Sequence, residues 1–222
     1  DAAETTDFQQ RIKQLKTGAA KAGRFSATWT GIGPFETFNT NTGPDPLAKS
    51  SQANIYCIDQ SFSHPDVVYC GTEGSEVFKS TDRGLNWVCI TRNVEISTPT
   101  ALEVHPSNPD IVFVGEGSHI RKSADGGLTW DIVLTVNELS ANEILVNPAD
   151  PQIVLAATFK GLYRSTDGGL NWMQLFPEAC YDVEWKTDDP ATVFLVRNDP
   201  AAKICRFYKS TDSGLNWTLK DN

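Results

Sequence analysis

The sequence lacks a long apolar run. No uninterrupted stretch approaches the roughly 20 residues that a membrane-spanning helix requires, so no membrane span is expected. Basic residues are in the minority: 19 Lys and Arg stand against 28 Asp and Glu, for a formal charge of −9. Nucleic-acid backbones and anionic lipid surfaces both need a basic face, so neither is expected as the main partner. There is no Cys-x-x-Cys pair and no Cys/His spacing of a zinc site. No phosphate loop, dinucleotide fingerprint or Ser or Cys nucleophile elbow occurs, and the acidic loops match no calcium-binding spacing. His64, His105 and His119 sit in or beside turns, where capping is the simpler account. No cofactor, metal or catalytic residue is assigned. The polar opening DAAETTDFQQ carries no secretory signal, as in a processed mature chain or a cytosolic one.

Cysteine is sparse and odd in number, five in 222 residues, so at least one thiol has no partner within the chain. Cys57 and Cys70 fall on neighbouring expected strands, and Cys180 and Cys205 fall within one repeat. Both pairs stay open as disulfides, against a default in which a free buried cysteine acts as a small hydrophobe.

What the sequence does have is one phrase written four times: KSTDRGLNW, KSADGGLTW, RSTDGGLNW and KSTDSGLNW. Its serines, Ser80, Ser123, Ser165 and Ser210, are 43, 42 and 45 residues apart. A period of 40 to 50 residues belongs to propeller blades or helical arrays, and the content of each period decides between them. The second unit reads as four short runs, TALEVH, DIVFVGE, HIRKSAD and TWDIVLT, rich in β-branched and aromatic residues and without a useful helical stripe. The turn between the first two runs repeats as well, with Pro65, Pro109, Pro151 and Pro190 in register. Proline fixes such a turn and cannot continue a central strand. Four-stranded units in series predict an all-β chain, a β-propeller.

Within the phrase, Ser-x-Asp-x-Gly-x-x-Trp fits a hairpin between the third and fourth strands. Asp82, Asp125, Asp167 and Asp212 have short carboxylates that accept backbone N–H groups in the turn. Gly84, Gly127, Gly169 and Gly214 supply backbone angles that other residues resist. The serines add a hydroxyl bond, and Trp87, Trp130, Trp172 and Trp217 bring apolar area to plug the base of the sheet. A residue that recurs in every unit cannot mark one unique reaction site, so these sixteen positions are read as structural.

The motif resembles the Asp-box (BNR) repeat of sialidases, sortilin-type receptors, certain xyloglucan hydrolases and photosystem assembly factors, over residues 52 to 220. The phrase NIYCIDQSFSHPDVVYCGTE is similar to the blade consensus of secreted bacterial sortilin-like proteins. The resemblance implies a fold-stabilising turn away from any substrate. It implies too a secreted or cell-surface module that binds protein or glycan, or a subunit of an envelope or secretion assembly. The alternative it leaves open is a sialidase-like or xyloglucanase-like hydrolase completed by other blades. Glu73, Glu116, Glu138, Glu143 and Glu184 are carboxylates available to it, but the Phe/Tyr-Arg-Ile-Pro opening of sialidases is absent.

Blades are expected at 52–93, 97–137, 140–177 and 179–220, within a propeller spanning 52–222. Residues 1–24 carry a capping box at Thr6 to Gln9 and an apolar face of Phe8, Ile12 and Leu15, which predict a short N-terminal helix. In residues 25–51, Trp29-Thr30-Gly31-Ile32 matches the outer-strand phrases, so it is expected to be the outer strand of a closing blade, followed by a loop. A lone outer strand predicts a piece of a larger ring, closed by six or more blades from the same polypeptide or another subunit. Strand alternation puts the motif turns and proline turns at one end. The turns between second and third strands gather at the other, including 72–76, 116–119, 158–161 and 197–205. Candidate binding residues there are Glu73, Glu116, His119, Phe159, Lys160 and Arg197.

Overall fold

A computed structural model of the chain describes residues 54–220. The expected N-terminal helix and the expected closing strand lie outside the described residues. Sixteen strands make four antiparallel sheets of four, each in sequence order. Sheet 1 holds β1 (Ile55–Gln60), β2 (Val68–Thr72), β3 (Val77–Ser80) and β4 (Val88–Cys89). Sheet 2 holds β5 (Pro99–Val104), β6 (Val112–Glu116), β7 (His119–Ser123) and β8 (Asp131–Thr135). Sheet 3 holds β9 (Ala141–Val146), β10 (Val154–Thr158), β11 (Gly161–Ser165) and β12 (Met173–Phe176). Sheet 4 holds β13 (Cys180–Lys186), β14 (Asp189–Asp199), β15 (Ile204–Ser210) and β16 (Thr218–Leu219).

Why these runs become strands follows from where each lies. The second strands of sheets 1 to 3, β2, β6 and β10, are buried at every position, and they read as unbroken small or apolar runs. Outer strands are short or exposed. Sheets pack face to face in sequence. Tyr69 and Val77 of sheet 1 meet Leu102, Val104, Val112 and Val114 of sheet 2. Phe113 and Ile120 meet Ile144, Val146, Val154 and Ala156 of sheet 3. Leu155, Ala157 and Leu162 meet Val183, Val193 and Leu195 of sheet 4. Glycine permits one close approach: a methyl on Gly115 of β6 would stand 2.4 Å from Ala141 Cβ in the next sheet.

Two expectations need correction, and one open question closes. All five cysteines are free thiols. Register fits this: Cys57 lies opposite Gly71, so Cys70 is a diagonal neighbour on the other face, and β14 separates Cys180 from Cys205. Pro190 lies inside β14 rather than in a turn, beside the irregularity between Trp185 and Lys186. A strand start next to a bulge is where a missing N–H does least harm. Finally, 197–205 is not an open loop. β14 runs to Asp199 and β15 begins at Ile204, so Arg197 sits in a strand opposite Arg206.

Candidate functional site

Each motif turn is a closed hydrogen-bond circuit. The serine hydroxyl donates to the aspartate Oδ1 at 2.7–2.8 Å and accepts the glycine N–H at 2.8–3.0 Å. The same Oδ1 accepts the N–H of Asn86, Thr129, Asn171 or Asn216, and Oδ2 accepts that residue's side chain. Each tryptophan, half-buried, donates its indole N–H to the glycine carbonyl. Bonds from Thr129 hold the Asp125 carboxyl at about 2, and those from Asn171 do the same for Asp167. At Asp212 burial opposes the shift, but the Asn216 bonds outweigh it and the carboxyl again falls to about 2. The residue before tryptophan was not singled out in the sequence; its repetition as Asn, Thr, Asn, Asn was the available signal. Gly84, Gly127, Gly169 and Gly214 all have φ between 78° and 94°, the left-handed region. In sheets 1 to 3 each circuit is tied to the first turn by one backbone bond, such as Gly126 N–H to the Asp110 carbonyl at 2.8 Å; in sheet 4 the Ser213 N–H bonds the Ala191 carbonyl of β14.

The opposite end carries the turns between second and third strands and the starts of the first strands. The six candidate residues have different surroundings there. Glu116 is buried, and its carboxylate accepts the Ser97 N–H and the Arg121 Nε–H. His119, its cross-strand neighbour, bonds Thr135 Oγ1 through Nδ1 at 3.1 Å. Glu73 accepts the Asn54 amide at 2.7 Å. Lys160 pairs with Glu138 at 3.0 Å. Arg197 donates to Glu178 and to the Tyr208 hydroxyl, with its guanidinium 4.5 Å from the centre of the Phe176 ring. Phe159 is 48% exposed and meets Tyr181 edge-on, ring centres 6.0 Å apart. So Glu116 with His119, and Phe159 with Lys160, lie side by side, while Glu73 and Arg197 stand on the first and last sheets.

The first strands bring together acidic residues of all four sheets. Asp59 Oδ2 accepts the Val104 N–H at 2.7 Å, and Glu103 Oε1 accepts the Val146 N–H at 2.8 Å. Burial first, then the Asp59 charge, raise the Glu103 carboxyl well above its usual range, and burial raises the Asp59 carboxyl as well. Burial, with Glu184 and Asp182 nearby, lifts Glu143 to about 7. Among the described residues no group of three or more His, Cys, Asp or Glu is arranged to hold a metal ion. Nor is any helix there long and apolar enough to cross a membrane.

No family model matches the sequence, and no curated protein matches it. Solved structures do resemble it. An ancestral GH74 enzyme superposes with a TM-score of 0.62 at 16% identity, over 75% of this chain and 25% of its own. The GH74 enzyme of Niastella koreensis gives 0.55 at 17% identity, over 75% of this chain and 38% of its own. YCF48 from Cyanidioschyzon merolae gives 0.50 at 17% identity, over 81% of this chain and 58% of its own. The fold is a β-propeller. Its four sheets are blades, and the chain spans well under half the length of either GH74 enzyme.

Proposed function

We propose that this propeller is a non-catalytic module that binds a protein or glycan at the end bearing Phe159 and Tyr181, at a cell surface or outside the cell. One observation carries the reading: at that end four glutamates are engaged within the fold while aromatic rings are not covered. Glu73, Glu116, Glu138 and Glu178 each hold a partner within the fold. Phe159, Tyr181 and Tyr56 are 41–49% exposed. Aromatic surface of this kind stacks on sugar faces and anchors protein contacts. The hydrogen-bond circuit common to all four turns supports placing the blades with Asp-box repeats of the sortilin type. Membership of an envelope or secretion assembly, with further blades from the same polypeptide or another subunit, belongs to the same proposal.

A glycoside hydrolase is the second reading. It is favoured by Glu143, whose carboxyl at about 7 lies near Asp182 and Glu184. A protonated carboxyl opposite an ionised one is the pairing that glycoside hydrolysis uses. The similarity to two GH74 enzymes points the same way. An array of sialosides, β-glucans and secreted-protein peptides tests both. The binding reading expects a captured ligand whose affinity falls at least tenfold in the Phe159→Ala/Tyr181→Ala variant. Hydrolysis of an array glycan that disappears in Glu143→Gln would replace binding by catalysis.

A further inference from the structure

Each blade grips the next with two recurring groups, and the first two joints add a third. The first is a cation just before the motif serine. Lys79 donates to the Gly126 carbonyl and pairs with Asp110, Lys122 donates to the Gly168 carbonyl at 2.8 Å, and Arg164 to the Ser213 carbonyl at 3.0 Å. These carbonyls all belong to the residue before the glycine of the next motif turn. The second group is the cross-strand neighbour of the cation: Tyr69, Phe113 or Leu155. Phe113 and Leu155 lie against the glycine of the next turn, since an added methyl would stand 2.5 Å from Phe113 at Gly169 and 2.9 Å from Leu155 at Gly214. The third is the first-strand carboxylate of Asp59 or Glu103, held by the N–H of Val104 or Val146.

Blade 4 repeats all three. Lys209 precedes its motif serine, Phe194 is the cross-strand neighbour of Lys209, and Glu184 is paired to Phe194 on the first strand. Yet among the described residues no carbonyl receives Lys209 and no N–H reaches Glu184. Lys209 Nζ lies 6.0 Å from the centre of the Phe194 ring, as Lys79 lies over Tyr69 and Lys122 over Phe113, and Phe194 stacks on Phe207 at 5.5 Å. Blade 1 shows the converse. Turns 2, 3 and 4 each receive a cation from the blade before, while the Arg83 carbonyl of turn 1 receives none among the described residues. Ile58, at the position where Leu102 seals the joint between blades 1 and 2, is 60% exposed. Four turns and four cations thus leave one of each unmatched, at opposite ends of the series.

We propose that the outer face of blade 4 docks the outer face of blade 1 of a second copy of this chain. Lys209 caps the Arg83 carbonyl and Phe194 covers Gly84, while Glu184 faces Gln60, which holds the register position of Val104 and whose N–H already donates to Asp59 Oδ1. The contact continues the three joints already inside the chain, so it needs no new chemistry. Val196 stands where Gly71, Gly115 and Ala157 stand in the earlier blades, which sets this joint wider at the first-strand start. A joint between unlike faces is heterologous: two copies joined twice close a ring, and otherwise copies add end to end.

Sedimentation velocity over a concentration series tests the proposal. The expected result is association to at least twice the 24.4 kDa chain mass, with a dissociation constant raised at least tenfold in Lys209→Glu. Unchanged thermal melting of Lys209→Glu at low concentration shows that the variant is folded. As a second readout, Lys209→Cys and Arg83→Cys chains, both carrying Cys205→Ser, are mixed and oxidised; a 209–83 cross-link between copies is expected. A single-chain mass at every concentration, or association that Lys209→Glu leaves intact without that cross-link, overturns the proposal.

Discussion

Ser165 shows at the scale of one residue why the motif recurs. Its hydroxyl is 1% exposed, donates to Asp167 and accepts the Gly169 N–H. Ser165→Ala removes the acceptor and leaves that N–H in a buried turn with nothing to replace it, which costs about 1–3 kcal/mol. Urea unfolding of the variant is expected to show that loss with an unchanged m-value; an unaltered midpoint would mean that the circuit is decorative. The sequence made this much legible, because a serine, an aspartate and a glycine at fixed offsets have few joint uses besides a turn. Glu116 was not legible in the same way. A glutamate in an Glu-Gly-Ser-His turn reads as solvated, and only the arrival of Arg121 and the Ser97 N–H shows it to be an internal anchor.

Elements carry the pH response. The raised carboxyls, Glu103 and Glu143, favour the protonated form in the fold. Their contribution is fully present below the ordinary value of 4.5 and is lost as pH rises through the folded value, about 7 for Glu143. The motif aspartates act in the opposite sense: for Asp125, Asp167 and Asp212 the contribution is present above 3.8 and lost as pH falls through about 2. Calorimetry should therefore find the melting temperature falling between pH 5 and 8, and Glu103→Gln, which is neutral throughout, should flatten that fall. A fall of the same size in both proteins would place the response elsewhere. These carboxylates escape a reading of strand patterns, because an acid among alternating apolar residues looks like a solvent-facing position. What overrides the pattern is the first strand of the next blade, whose N–H supplies a partner that no local segment contains. β14 misleads for a related reason. Its Pro190 and its Asn-Asp-Pro sequence signal turns, but seven cross-strand pairs with β15, from Val193 to Asp199, draw the chain into an extended hairpin.

For the propeller as a whole, the three internal joints are not alike. Leu145 occupies in blade 3 the position of Asp59 and Glu103, so no carboxylate links the last two blades. Their polar ties are the Asn142 and Asn147 amides, on the carbonyls of Cys180 and Pro190, and the Arg164 guanidinium. Neutral amides and a guanidinium do not titrate across the range in which Glu103 loses its proton. Mild alkali reaches that seam instead through Glu143, beside Asp182 and Glu184, as it reaches the first through Glu103 beside Asp59. Limited digestion is expected to cut the connectors at 135–141 and 177–179 faster at pH 8 than at pH 5; equal rates at both pH values would contradict this. A single leucine where glutamate would stand thus leaves the last seam of an otherwise regular repeat without a carboxylate-to-amide bond, though not without a group that takes up a proton.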